Sequence, residues 1–121
     1  MQICLIDDEP IVLDTISGFL ADLGHSVICA RSEADMLELP DAQKTDLVIT
    51  DLQLPGQTGY NSVRRALEFF PDTPIVVISG YREALLSLPE EIEEELYACL
   101  PKPFSLEELE RLLERLSGGA R

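Results

Sequence analysis

The chain has 121 residues, the usual length of one domain, and its hydrophobic content of 45% with 26% charged residues allows a buried core. Its 23 acidic residues against 9 basic ones give a formal net charge of -14, which repels nucleic acid phosphates and anionic headgroups, so direct DNA binding by this segment is not expected. No apolar run approaches the ~20 residues that cross a bilayer and no secretory leader pattern is present, so no membrane association and a cytoplasmic location are expected.

In chain order, the first unbroken apolar run, Ile3 to Ile6, predicts a strand, and Val12, Ile16, Phe19, Leu20 and Leu23 then fall at helical spacing. A second strand is expected at Val27 to Ala30 and a short helix near Ser32 to Leu39. The run Leu47 to Thr50 predicts a third strand, followed by a helix whose apolar stripe is Tyr60, Val63, Leu67 and Phe70. A fourth strand is expected at Ile75 to Ile78. The stretch from Arg82 to Tyr97 reads as a helix that Pro89, lacking a backbone donor, splits or restarts. A weaker strand spans Ala98 to Leu100. The last helix carries Leu106, Leu109, Leu112, Leu113 and Leu116 on one face, behind the capping box Ser105-Leu106-Glu107-Glu108.

Strand and helix thus alternate five times. Unbroken rather than alternating runs suit strands covered on both faces, so the pattern predicts a three-layer α/β sandwich around a parallel sheet. Cys4, Cys29 and Cys99 each lie within such a run and are expected as small buried side chains rather than as disulfide or zinc partners. Pro55 and Gly56 signal a turn before the third helix, and Gly59 serves loop geometry. His25, the single histidine, is expected at the surface at the start of the second strand.

In an open parallel sheet, ligands gather beyond the carboxyl ends of the strands. The residues at those ends are Asp7, Asp8 and Glu9 after the first strand, Asp51 after the third, Ser79 after the fourth and Lys102 after the fifth. Converging carboxylates repel one another unless a cation sits among them, and an oxygen-only set suits Mg²⁺. Such an ion, with Lys102 as a fixed cation and the Ser79 hydroxyl as a donor, fits phosphoryl transfer to a carboxylate. Taken alone, Asp8 or Glu9 before Pro10 also reads as a helix start, with acid at the positive end of the dipole.

With Asp7-Asp8-Glu9-Pro10, Asp51-Leu52-Gln53-Leu54-Pro55-Gly56 with Gly59, Ser79-Gly80 and Lys102-Pro103-Phe104 in this order and spacing, the sequence resembles the receiver domain of bacterial two-component response regulators. The resemblance covers essentially residues 1–118, leaving 119–121 as a flexible tail or truncated linker. It implies a flavodoxin-like, doubly wound, five-stranded parallel sheet of order 2-1-3-4-5 with five helices. It further implies that Asp51 accepts a phosphoryl group from a histidine kinase or histidine phosphotransfer protein. Asp8 and Asp51 would bind Mg²⁺ directly, Asp7 through water, and Gln53 through its backbone carbonyl. Lys102 would pair with the phosphoryl oxygens, and Ser79 would move to bond them, drawing in the following loop. The Lys102-Pro103 bond is expected cis. The domain is then a phosphoacceptor that assists its own phosphoryl transfer and dephosphorylation rather than an enzyme acting on a separate substrate. An effector domain or protein is an implied partner, and a homodimer is left open.

Two departures from the family pattern stand out. Cys99 occupies the place, three residues before the lysine, where many receivers carry Tyr or Phe, and Tyr97 is the nearby aromatic. Tyr81, two residues after Ser79, is positioned by sequence to cover the phosphorylation site and slow loss of phosphate. Glu90, Glu91, Glu93, Glu94 and Glu95 read as a solvated acidic face, on a surface receivers often use for docking. Three other functions remain to be weighed. A flavodoxin-like cofactor binder would need a Ser, Thr or Gly-rich phosphate loop where Asp7-Asp8-Glu9-Pro10 stands. An aspartate phosphatase would need a general acid where Gln53 stands. A phosphorylation-independent interaction module is the main alternative.

Overall fold

In the computed structural model, residues 1–39, 44–52 and 60–118 are described. The strands are β1 (Gln2–Ile6), β2 (Ser26–Ala30), β3 (Leu47–Asp51), β4 (Ile75–Ser79) and β5 (Ala98–Pro101), all parallel, in the order β2-β1-β3-β4-β5. The helices are α1 (Pro10–Asp22), α2 (Glu33–Leu37), α3 (Asn61–Phe69), α4 (Arg82–Leu86), α5 (Glu90–Glu93) and α6 (Leu106–Gly118). The flavodoxin-like arrangement expected from the sequence is present, with one difference. The described residues hold six helices rather than five, because the stretch around Leu88 and Pro89 breaks the segment expected to split there.

Strand pleating explains the three layers. Cys4, Ile6, Val48, Ile75 and Val77 point to one face, where they meet Met36 of α2, Val63 and Ala66 of α3, Leu85 of α4 and Ile92 of α5. Ile3, Leu5, Leu47, Ile49, Val76 and Ile78 point to the other face and meet Leu13, Ile16 and Leu20 of α1 and Leu109, Leu112 and Leu113 of α6. Each fully buried aliphatic side chain contributes about 1.5–3 kcal/mol by leaving water, so the central strands and the helices that cover them stabilise the fold together.

Helix ends follow local chemistry. The Ser105 hydroxyl accepts from the Glu108 amide at 3.1 Å while the Glu108 carboxylate accepts from the Ser105 amide at 3.3 Å, which is the capping box expected there. At the end of α1, Gly24 adopts a φ of 94°, its amide donates to Ala21 and the His25 amide donates to Leu20. These two bonds close the helix in a Schellman turn, for which glycine is suited because it lacks a Cβ.

The cysteine expectation needs correction. Cys4 is buried, but Cys29 is exposed and Cys99 is half-buried. β2 and β5 are the edges of the sheet, where neighbouring strands cover one side only, so an apolar run there does not guarantee burial. The Lys102-Pro103 bond is cis. Gln53, Pro55, Gly56, Gly59 and residues 119–121 lie outside the described residues.

Candidate phosphoacceptor and metal site

Because all five strands run the same way, their carboxyl ends form one rim, and backbone bonds set each polar residue on it. The Asp7 amide donates to the Ala30 carbonyl at 3.1 Å, extending the β1–β2 pairing past the strand end. The Leu52 amide donates to the Ile78 carbonyl at 2.9 Å, holding the chain just after Asp51 against β4. The Lys102 amide donates to the Ser79 carbonyl at 2.7 Å, which ties the residue after β5 to the end of β4.

The side chains then converge. Lys102 Nζ lies 2.9 Å from Asp7 Oδ2, 3.2 Å from Glu9 Oε1 and 3.3 Å from Asp51 Oδ2. Asp7 is fully buried and Asp51 is 8% exposed. The second Asp7 oxygen accepts from the Glu9 amide at 2.9 Å, so this carboxylate is fixed from both sides. Burial of the Lys102 ammonium pushes its pKa down, but the hydrogen bond to Asp7, the charges of Asp51 and Asp7 and the bond to Glu9 outweigh it, and the net shift is upward. Lys102 is therefore a permanent cation at physiological pH.

A single ammonium faces more negative charge than it can balance. Asp7, Asp8 and Asp51 each offer one carboxylate oxygen, and these oxygens all lie within 4.8 Å of one another. A set of convergent hard oxygen donors with surplus negative charge fits a metal ion, so this cluster could hold one. Ser79 is fully buried at the end of β4, and its Oγ accepts from the Tyr81 amide at 2.9 Å, leaving the hydroxyl proton available for donation.

The structure thus brings together Asp7, Asp8, Asp51 and Lys102 on the rim where Ser79 also ends its strand. The Gln53 carbonyl, the remaining expected ligand, lies outside the described residues. Glu9 was read from the sequence as part of an acidic helix start. Its side chain makes no capping bond, and its carboxylate reaches Lys102 instead. The run of three acids before Pro10 was the available signal, but which of them turns toward a lysine 93 residues away is a tertiary matter. Tyr81 is 66% exposed, and Tyr97 is 40% exposed with its amide bonded to the Ile75 carbonyl at 2.8 Å.

Comparison with known proteins places this geometry. The NtrC DNA-binding transcriptional regulator of Azospirillum brasilense is 30% identical over 113 residues, covering 93% of this chain and 23% of that protein. The transcriptional regulatory protein CrdR of Helicobacter pylori is 28% identical over 116 residues, covering 94% of this chain and 54% of that protein. The chain thus spans about a quarter of the first relative's length and about half of the second's. Among solved structures, a response regulator receiver domain protein from Clostridium thermocellum superposes with a TM-score of 0.81 at 25% identity, covering 95% of this chain and 92% of that one. The family model for the response regulator receiver domain matches residues 3–114, and the chain belongs to that family, the receiver domains of two-component response regulators.

Proposed function

We propose that the chain takes part in phosphorelay signalling by accepting a phosphoryl group on Asp51 from the phosphohistidine of a histidine kinase or histidine phosphotransfer protein in the cytoplasm. The observation that carries this reading is the contact of one half-buried lysine, Lys102, with Asp51, Asp7 and Glu9 within 3.3 Å, where Asp7 and Asp51 also belong to a three-carboxylate cluster with Asp8. An Asp51 oxygen attacks phosphorus, the bond from phosphorus to the donor imidazole nitrogen breaks, and the imidazole is protonated as it leaves. Asp8 and Asp51, with Asp7 through water and the Gln53 carbonyl, would hold Mg²⁺. Bound there, the ion neutralises charge on the phosphoryl oxygens.

Lys102 supplies a fixed positive charge to the same oxygens, exchanging part of its contact with Asp51 for contact with the new group. The Ser79 hydroxyl donates to a phosphoryl oxygen. Since that oxygen of Ser79 already accepts from the Tyr81 amide, its displacement pulls on the residue just before α4. The altered α4 surface is what an effector domain or protein would read, and the net charge of -14 argues against nucleic acid as a direct partner of this segment.

Intact mass measured after exposure to Mg²⁺ and acetyl phosphate tests the reading. A phosphoryl adduct is expected in the wild type and absent in Asp51→Asn. Wild type without an Asp51-dependent adduct would instead favour a module that signals through its surface without phosphate.

A further inference from the structure

Helix α4 is five residues long, and its attachments on its two sides differ in kind. Toward β5, Cys99 and Pro101 together with Arg82, Leu85, Leu86 and Glu93 line a cleft of about 430 Å³. The small Cys99 side chain does not fill this space. Toward α3, the Tyr60 hydroxyl donates to the Ala84 carbonyl at 3.0 Å. A carbonyl in the last turns of a helix has no intrahelical amide to accept from, so the phenol supplies the missing partner. The ring is half-buried and packs against the core cluster that contains Val63, Leu85 and Leu88.

The backbone of the same residue belongs to another element. The Tyr60 carbonyl accepts from the Arg64 amide at 3.0 Å, the bond that opens α3. Tyr60 therefore anchors the start of α3 through its main chain and α4 through its side chain. At the other end of α4, the Tyr81 amide is bonded to Ser79 Oγ at 2.9 Å. Helix α4 is thus tied at its first turn to the end of β4 and at Ala84 to the element that follows β3, the strand carrying Asp51.

We propose that Tyr60 is a positioning residue that couples α4 to the phosphoacceptor site: its hydroxyl makes Ala84 the pivot about which a pull at Ser79 turns the helix. With the β5 side of α4 left as an open cleft beside Cys99, this bond is the link on the opposite side of the helix. The proposal rests on the reading of Asp51 as phosphoacceptor, and it assigns to Tyr60 no contact with the phosphoryl group.

Hydrogen exchange followed by mass spectrometry on the whole chain tests it, comparing wild type with Tyr60→Phe, which keeps the ring and removes only the hydroxyl. Without phosphodonor, the amides of residues 82–88 are expected to exchange about five-fold faster in the variant, while β1, β3 and β4 are unchanged. With Mg²⁺ and acetyl phosphate, and with adduct formation checked by intact mass, the wild type is expected to change its exchange in residues 82–88. The variant should form the same adduct and show less than half that change. Equal α4 exchange in the two unmodified proteins, or a uniform rise across the sheet, overturns the tie. Equal α4 responses at equal adduct overturn the coupling. Wild type that forms no adduct overturns the phosphoacceptor reading, and the coupling with it.

Discussion

The carboxylate rim and the flank formed by α4, α5 and β5 share one sheet yet are held by opposite means. At the rim, β1, β3 and β4 are buried along almost their whole length, and main-chain bonds from Asp7, Leu52 and Lys102 fix the polar residues before any side chain is placed. On the flank, two helices of five and four residues lie against an edge strand that is half-buried throughout. A site that gathers like charges needs a stiff scaffold, because each carboxylate would otherwise relax away from the others. A surface that changes needs attachments that can yield singly, and α4 is held by the buried Leu85, the Tyr60 hydroxyl and Ser79 Oγ.

The contrast can be broken most severely at Lys102. Lys102→Met leaves Asp7 and Asp51 without their ammonium and is expected to cost about 3 kcal/mol in urea denaturation without divalent ions. Added Mg²⁺ should recover more stability in the variant than in wild type, since the surplus carboxylates then gain a cation, and equal gains would refute the charge argument. Next in size, Leu85→Ala, which removes the buried anchor of α4, should cost about 2 kcal/mol. Its neighbour Leu86 is 80% exposed, and Leu86→Ser should stay within about 0.5 kcal/mol. A Leu86→Ser cost as large as that of Leu85→Ala would mean that α4 packs differently.

The smallest effect concerns the thiols. Burial, with a lesser contribution from the charge of Cys29, pushes the Cys4 thiol up to about 12, and burial also raises Cys29 and Cys99, so exposure decides between those two. At pH 8 almost none of Cys4 is thiolate, so iodoacetamide should label Cys29 first, Cys99 more slowly and Cys4 only on unfolding. Peptide mapping of a time course checks the order. Cys99 labelling as slowly as Cys4 would mean that the cleft beside α4 is closed in solution.

These outcomes also mark what could be read from the residues alone. Ile3 to Ile6, Leu47 to Thr50 and Ile75 to Ile78 announce buried parallel strands because both faces must be apolar, and the polar residue ending each run then has only one rim to occupy. The chain order of Asp7, Asp51, Ser79 and Lys102 was therefore enough to bring them together. Edge position is not a local property, so Cys29 looked as buried as Cys4 although β2 has a neighbour on one side only. The turn of Glu9 toward Lys102 and the reach of Tyr60 to Ala84 span 93 and 24 residues, and both depend on how helices are seated on the sheet. Nothing in the local spacing of those residues encodes that seating.

The shortness of α4 makes its fold depend on what holds it. Five residues cannot sustain a helix in water, since the cost of its first turn is recovered only over a much longer span. Loss of its tethers therefore unwinds it, and the side chain newly opened to water is that of Leu85. Backbone accessibility of this segment, and with it its susceptibility to proteolysis, is therefore set by the same two tethers, Tyr60 to Ala84 and Tyr81 to Ser79.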